Sequence, residues 1–209
     1  MGKPPEGWRR AGRERAASIP QFTRNTLCAR IRQQSVALLN RQLAMVVDLE
    51  AQARQARWCV RGPGVEAMRD LFGRVASAAS AYADMLAGRA SALGGIAEGT
   101  VQGAAAVSEL EPYPLRIASG ASHARAVADA LAALGTFVRD AIVRAGAFED
   151  ADAADVFIEA ERGDAATVIM LAEILRGIDE LLWLVESHLE PVADAAGAAR
   201  PQLETMQVA

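Results

Sequence analysis

The chain has 209 residues, of which 52% are apolar and only 5% aromatic, with a formal net charge of −4. That length suits one sizeable domain or two small ones, and an alanine-rich, aromatic-poor mixture favours packed helices over sheets. No apolar run approaches the ~18 residues of a membrane span. No apolar segment follows the basic N-terminus as a secretory signal requires, and two cysteines, Cys28 and Cys59, build no disulfide framework. A reducing cytoplasm is the expected setting.

Charge is unevenly placed. Lys3, Arg9, Arg10, Arg13, Arg15, Arg24, Arg30 and Arg32 stand against Glu6 and Glu14, so residues 1–32 carry +6 and the remaining 177 carry −10. A basic arm on an acidic body suits a partner with phosphates, met by the arm. Residues 1–27 contain Pro4, Pro5, Gly7, Gly12 and Pro20 and little apolar periodicity, which predicts a flexible arm. Residues 28–190 are expected to be the folded body and 191–209 a loose tail.

The first predicted helix runs from about Cys28 to Val60. Val36, Leu39, Leu43 and Val46 line one face and Leu38, Met45 and Leu49 another, so burial on two sides is expected. Pro63 suits a helix start. Val65, Met68, Phe72, Val75, Ala79, Tyr82, Leu86 and Leu93 then follow helical spacing until Gly94-Gly95 stops the run. Residues 96–120 read as a long connection with a short helix near Val101–Leu110. A third long helix is expected over about Ala121–Ala145, with Val127, Leu131, Leu134, Val138 and Ala141 on one face. Leu171, Leu175, Ile178, Leu182, Val185 and Leu189 alternate by four and three in a fourth helix that Pro191 ends. Four long helices with a long link between the second and third predict an all-α four-helix bundle with a crossover. Two adjacent segments of 14 residues, 150–163 and 164–177, share Asp, Ala, Glu, Arg and Gly at matching places. They read as a short duplication, about 150–163, lengthening the connection before the last helix.

FTRN (22–25), LLNRQ (38–42), WCVRGP (58–63), DMLAGRASALGG (84–95), EPYPL (111–115) and RGIDELLWLVESHL (176–189) occur in an order that resembles the Dps proteins. These are the mini-ferritins, DNA-binding proteins from starved cells. The resemblance spans roughly residues 20–190. It implies a ferritin-like subunit with a short helix in the crossover, a hollow dodecamer, and DNA binding through a basic terminal arm. It also implies peroxide-dependent iron oxidation at a site between subunits. On that resemblance Lys3, Arg9, Arg10, Arg13 and Arg15 are the candidate DNA-binding residues. Glu149, Asp150, Asp152 and Asp155 are candidates for an acidic pore that attracts cations.

The iron ligands are where this chain departs. The seats that the family gives to two histidines are Arg57 and Arg69; two carboxylate seats are Gly73 and Gly88; only Asp84 is kept. Iron needs a lone pair from imidazole or carboxylate, and guanidinium offers none at any working pH. His123 and His188 lie outside the E-x-x-H arrangement of di-iron bundles and read as surface or capping residues. Arg69, Gly73, Asp84 and Gly88 fall within about 100° on one helix face, but Arg69 and Asp84 are roughly 22 Å apart along its axis. They can meet only between two antiparallel copies. The expectation is an interfacial cluster in which Arg57 and Arg69 reach the Asp84 of a neighbour, with Gly73 and Gly88 leaving room. Trp58 and Trp183 read as core or interface residues, and Cys59 is given no redox role.

The expected function is therefore a cage that binds DNA non-specifically through phosphates in the cytoplasm and nucleoid, with no membrane partner, no cofactor and ferroxidase activity lost. The alternatives are an iron-oxidising and iron-storing mini-ferritin, or a structural subunit that co-assembles with an iron-competent relative.

Overall fold

The computed structural model describes residues 21–148 and 163–189. Five helices make up the secondary structure there: α1 (Ala29–Cys59), α2 (Val65–Ala92), α3 (Val101–Val107), α4 (Gly120–Gly146) and α5 (Ala165–Glu186). The all-α bundle with a crossover expected from the sequence is what forms.

Four of the five starts are closed by a side chain that accepts an otherwise orphaned amide. Cys28 Sγ takes Ile31 N at 3.4 Å, and Thr100 Oγ1 takes Gly103 N at 3.1 Å. Ser119 Oγ takes Ser122 N at 3.1 Å, and Asp164 Oδ1 takes Thr167 N at 3.1 Å. Neither cysteine is in a disulfide. The last helix stops at Glu186, short of the expected Leu189. The Ser187 hydroxyl bonds Leu184 O at 2.7 Å, and His188 Nδ1 lies 2.8 Å from the same carbonyl, closing the final turn as a cap. Pro191 beyond it disfavours helical backbone at the residue before it.

Both apolar faces expected on α1 are buried: Val36, Leu39, Leu43 and Val46 on one, Leu38, Met45 and Leu49 on the other. Phe72, Leu86, Leu131, Leu134, Leu171 and Ile174 complete the centre of the core, each adding about 1.5–3 kcal/mol of burial. On α5 the buried stripe is Leu171, Ile174, Ile178, Leu181 and Val185, while Leu175 and Leu182 are only half-buried. The apolar face is wider than the expected four-three line because α5 packs on α4 and also borders α2.

The short bridge between Arg61 and Ser119 sets the start of α4 beside the α1–α2 corner. At the opposite end the guanidinium of Arg89, late in α2, holds Asp164 at the start of α5, 2.6 Å away. The crossover that makes this possible is pegged along α1 by polar side chains. Asn40 donates to Ile96 O at 2.9 Å and accepts from Glu98 N at 3.0 Å. Arg41 binds Glu109 at 2.6 Å, Ser108 donates to Asp48 at 2.6 Å, and Gln52 donates to Glu111 O at 3.1 Å.

Residues 21–27, counted with the expected arm, are tied to the end of α2: Gln21 N bonds Gly94 O at 3.2 Å and Thr23 Oγ1 bonds Ala92 O at 3.2 Å. Of the expected duplication, 150–163 with 164–177, only the second copy is described as a whole. That copy is the cap and first half of α5; the first lies outside the described residues apart from Gly163. No helix among the described residues is long and apolar enough to cross a membrane.

Candidate functional site

Arg57 occupies the last turn of α1, and Gly64 with a φ of 72° turns the chain into α2. A Cβ built on Gly73 would stand 3.6 Å from Arg57 Nε and 3.8 Å from its Cζ. The arginine side chain therefore lies against α2 beside Gly73. Arg69 joins them, with a long 3.4 Å contact to Glu66 on an exposed surface; such pairs contribute about 0–1 kcal/mol. Arg57, Arg69 and Gly73 line one open cleft of about 650 Å³. Asp70, Arg74 and Tyr82 from α2 and Gly177, Glu180 and Leu181 from α5 complete its walls. The Tyr82 ring reaches across to α5 because residue 177 has no side chain, since a Cβ there would collide with the phenol oxygen. Burial raises the Tyr82 pKa, the Glu180 carboxylate adds to the rise, and Arg176 opposes it. At neutral pH the phenol is a proton donor.

Asp84 and Gly88 sit farther along α2, both exposed and both outside the cleft. A Cβ on Gly88 would meet nothing within 4 Å. Of the five seats, the fold thus brings three together and leaves two apart within a chain. No three His, Cys, Asp or Glu side chains among the described residues are grouped to hold a metal ion. That observation concerns one chain, whereas the expected site draws on two. Lys3, Arg9, Arg10, Arg13, Arg15, Glu149, Asp150, Asp152 and Asp155 lie outside the described residues.

The Ferritin-like domain family matches residues 36–194. The DNA protection during starvation protein of Brevibacillus brevis is 30% identical over 161 residues, covering 77% of this chain and 97% of that one. The chain belongs to the Dps family. The protein of the same description from Agrobacterium fabrum is 28% identical over 168 residues, covering 80% and 95%. The structure of DpsA14 from Streptomyces coelicolor superposes with a TM-score of 0.72 at 24% identity, covering 85% of this chain and 96% of that one, a likeness of fold.

As a Dps chain it carries an unusual donor set. Two of the seats that the resemblance assigns to iron ligands hold guanidiniums and two hold no side chain at all, so these residues do not fit a tightly held ferrous ion. The guanidinium of Arg57 stands beside Gly73, where it would pair with a carboxylate at that position rather than leave it to a metal.

One placement differs from expectation. His123, read as a surface or capping residue, is 1% exposed. Its Nδ1 lies 2.6 Å from the Tyr113 hydroxyl, its ring meets Phe72 edge-on, and its Nε2 has no partner. The signal was present in the spacing, because position 123 is four before Val127 on the buried stripe of α4. His188 is exposed and caps α5. Trp58 and Trp183 are 69% and 66% exposed, so neither belongs to the core of the chain. The pair of Arg89 and Asp164, 18% and 1% exposed, was not anticipated. No helical spacing links two residues that far apart in sequence.

Proposed function

We propose that this Dps-family chain builds a homo-oligomeric cage, a dodecamer, that binds and shields DNA in the cytoplasm and nucleoid, and that it has lost iron oxidation. One observation carries the loss: Arg57 lies over Gly73 in the cleft where an imidazole and a carboxylate would have to converge. Neither residue can donate a lone pair to iron. DNA binding is supported by the name of the relatives, DNA protection during starvation protein, and by the +6 charge of residues 1–32 on an acidic body. Lys3, Arg9, Arg10, Arg13 and Arg15 neutralise phosphates and read no bases. At the contact between two copies, Arg57 and Arg69 of one face the Asp84 of the other, and Trp58 and Trp183 pack across the seam. Glu149, Asp150, Asp152 and Asp155 line a pore.

A plasmid gel shift and a ferrous-iron oxidation assay with peroxide, on one preparation, test this reading. Deleting residues 2–18 abolishes retention of plasmid while the native mass stays that of the cage, and iron oxidation matches a no-protein control. Tight binding by the truncated cage removes the arm from the proposal. A catalytic oxidation rate replaces it with the iron-storing alternative, and a native mass that includes a second chain points to co-assembly.

A further inference from the structure

The cleft holds more donors than a purely structural corner needs. Arg57, Arg69, Arg74 and Tyr82, all side chains that carry N–H or O–H groups, line it. Asp70 and Glu180 line the same walls, yet neither forms an ion pair with these arginines, and among the described residues Arg57 and Arg74 have no acidic partner. Arg57 lies beside Gly73, its Nε 3.6 Å from where a Cβ would stand. A guanidinium is the planar fork that carboxylate and phosphate oxygens match two at a time. The cleft volume of about 650 Å³ falls within the range of ligand sites.

We propose that this cleft is an oxyanion seat, in which Arg57 and Arg74 grip the anion and Arg69 and the Tyr82 hydroxyl close its edge. The inference rests on the reading above that the metal seats have been given up, and it names what takes their place. The oxyanion has two possible sources, a free inorganic phosphate or the Asp84 carboxylate of a second copy. These arginines are exposed in a single chain, so a free ion binds weakly.

The test is thermal denaturation of the full-length assembled protein in sodium phosphate against sodium chloride at equal ionic strength. If the ion is free, phosphate at about ten times its Kd raises the wild-type Tm by a few °C. Arg57→Gln removes that rise. Gly73→Asp also removes it, since it plants a carboxylate against Arg57, and its Tm in chloride already lies above wild type. If the neighbour supplies the carboxylate, phosphate leaves wild type unmoved, Asp84→Asn lowers the Tm in chloride, and phosphate restores it. Crystals soaked in selenate report the same site by anomalous scattering without any variant. A Tm indifferent to phosphate in both wild type and Asp84→Asn, with no selenate in the cleft, overturns the proposal. The gel shift depends on residues 2–18, so failure here leaves DNA binding standing, and failure there leaves this titration intact.

Discussion

A histidine buried among apolar side chains with one nitrogen unpaired is costly at low pH. The Tyr113 hydroxyl and His123 Nδ1 share a hydrogen bond, with the tautomer setting its direction, and Nε2 has no partner among the described residues, at a cost of about 1–3 kcal/mol unless a water bonds it. Burial lowers the His123 pKa and raises that of Tyr113 to about 12, with the nearby Cys59 adding to the second shift. Below the ordinary histidine pKa of 6.5 the unfolded chain binds a proton that the folded chain refuses. Stability therefore falls as pH drops through 6.5 and levels off only below the folded-state value. Melting curves between pH 7 and 5 are expected to show a falling Tm in wild type and a flatter profile in His123→Gln, which starts lower because the ring packing against Phe72 and Tyr113 is lost. Equal slopes would assign the acid sensitivity to other groups. This residue also marks what could be read from the sequence. Its position on the α4 stripe was visible, but a histidine's polarity argued for the surface, and only the distant Tyr113 makes burial tolerable.

Helices in this bundle are set by their ends as much as by their stripes, and α5 shows why the sequence located the stripe but not the start. DADAAD and DAATVI look alike, and it is Asp164 of the second that opens a described helix, accepting from the Thr167 amide and hydroxyl. Burial pushes the Asp164 carboxyl up, but the Thr167 hydroxyl and amide and the Arg89 guanidinium more than offset this and hold it below its ordinary range. Gly163 before it has a φ of 70°, and a Cβ would stand 2.8 Å from Gly146 O. Gly177, its counterpart in the duplication, is mid-helix and makes room for Tyr82 instead. The two copies thus share letters without sharing structural roles at these glycines. Asp164→Ala removes the cap and leaves Arg89, only 18% exposed, without its counter-ion. The expected loss is about 2–4 kcal/mol in denaturant unfolding, with roughly half that for Asp164→Asn, which keeps an acceptor for the Thr167 amide. A loss below 1 kcal/mol for the alanine variant would mean that packing alone sets the start of α5.

At the scale of the whole molecule, the sequence brought Arg57, Arg69 and Gly73 to one corner, and the fold agrees because two helix ends and a short turn leave them nowhere else to go. It could not tell whether Trp58 and Trp183 face a core or another copy, since both surroundings demand the same apolar side chain. The basic arm enters through charge alone. With five cations, Lys3, Arg9, Arg10, Arg13 and Arg15, on each arm that engages DNA, log K should fall with log salt at a slope of about −4.5 per arm. A slope near zero, or one that differs between unrelated sequences, would contradict phosphate neutralisation. The donor chemistry makes a stronger demand, because it can be reversed. Asp84 still offers a carboxylate, Gly88 has open space around it, and a Cβ on Gly73 would stand at ordinary contact distance from Arg57. A carboxylate at residue 73 would meet that guanidinium before it met a metal, so Arg57 has to be replaced as well. The order of substitutions matters: Gly73→Asp alone pairs with the guanidinium and stays silent toward iron, whereas Arg57→His, Arg69→His, Gly73→Asp and Gly88→Glu together rebuild imidazole and carboxylate donors around the retained Asp84. Ferrous iron with peroxide should then be oxidised well above the no-protein control by the fourfold variant and not by wild type. A fourfold variant that assembles, binds ferrous iron and still fails to oxidise it would show that more than these ligands was lost, and an active wild type would show that nothing was.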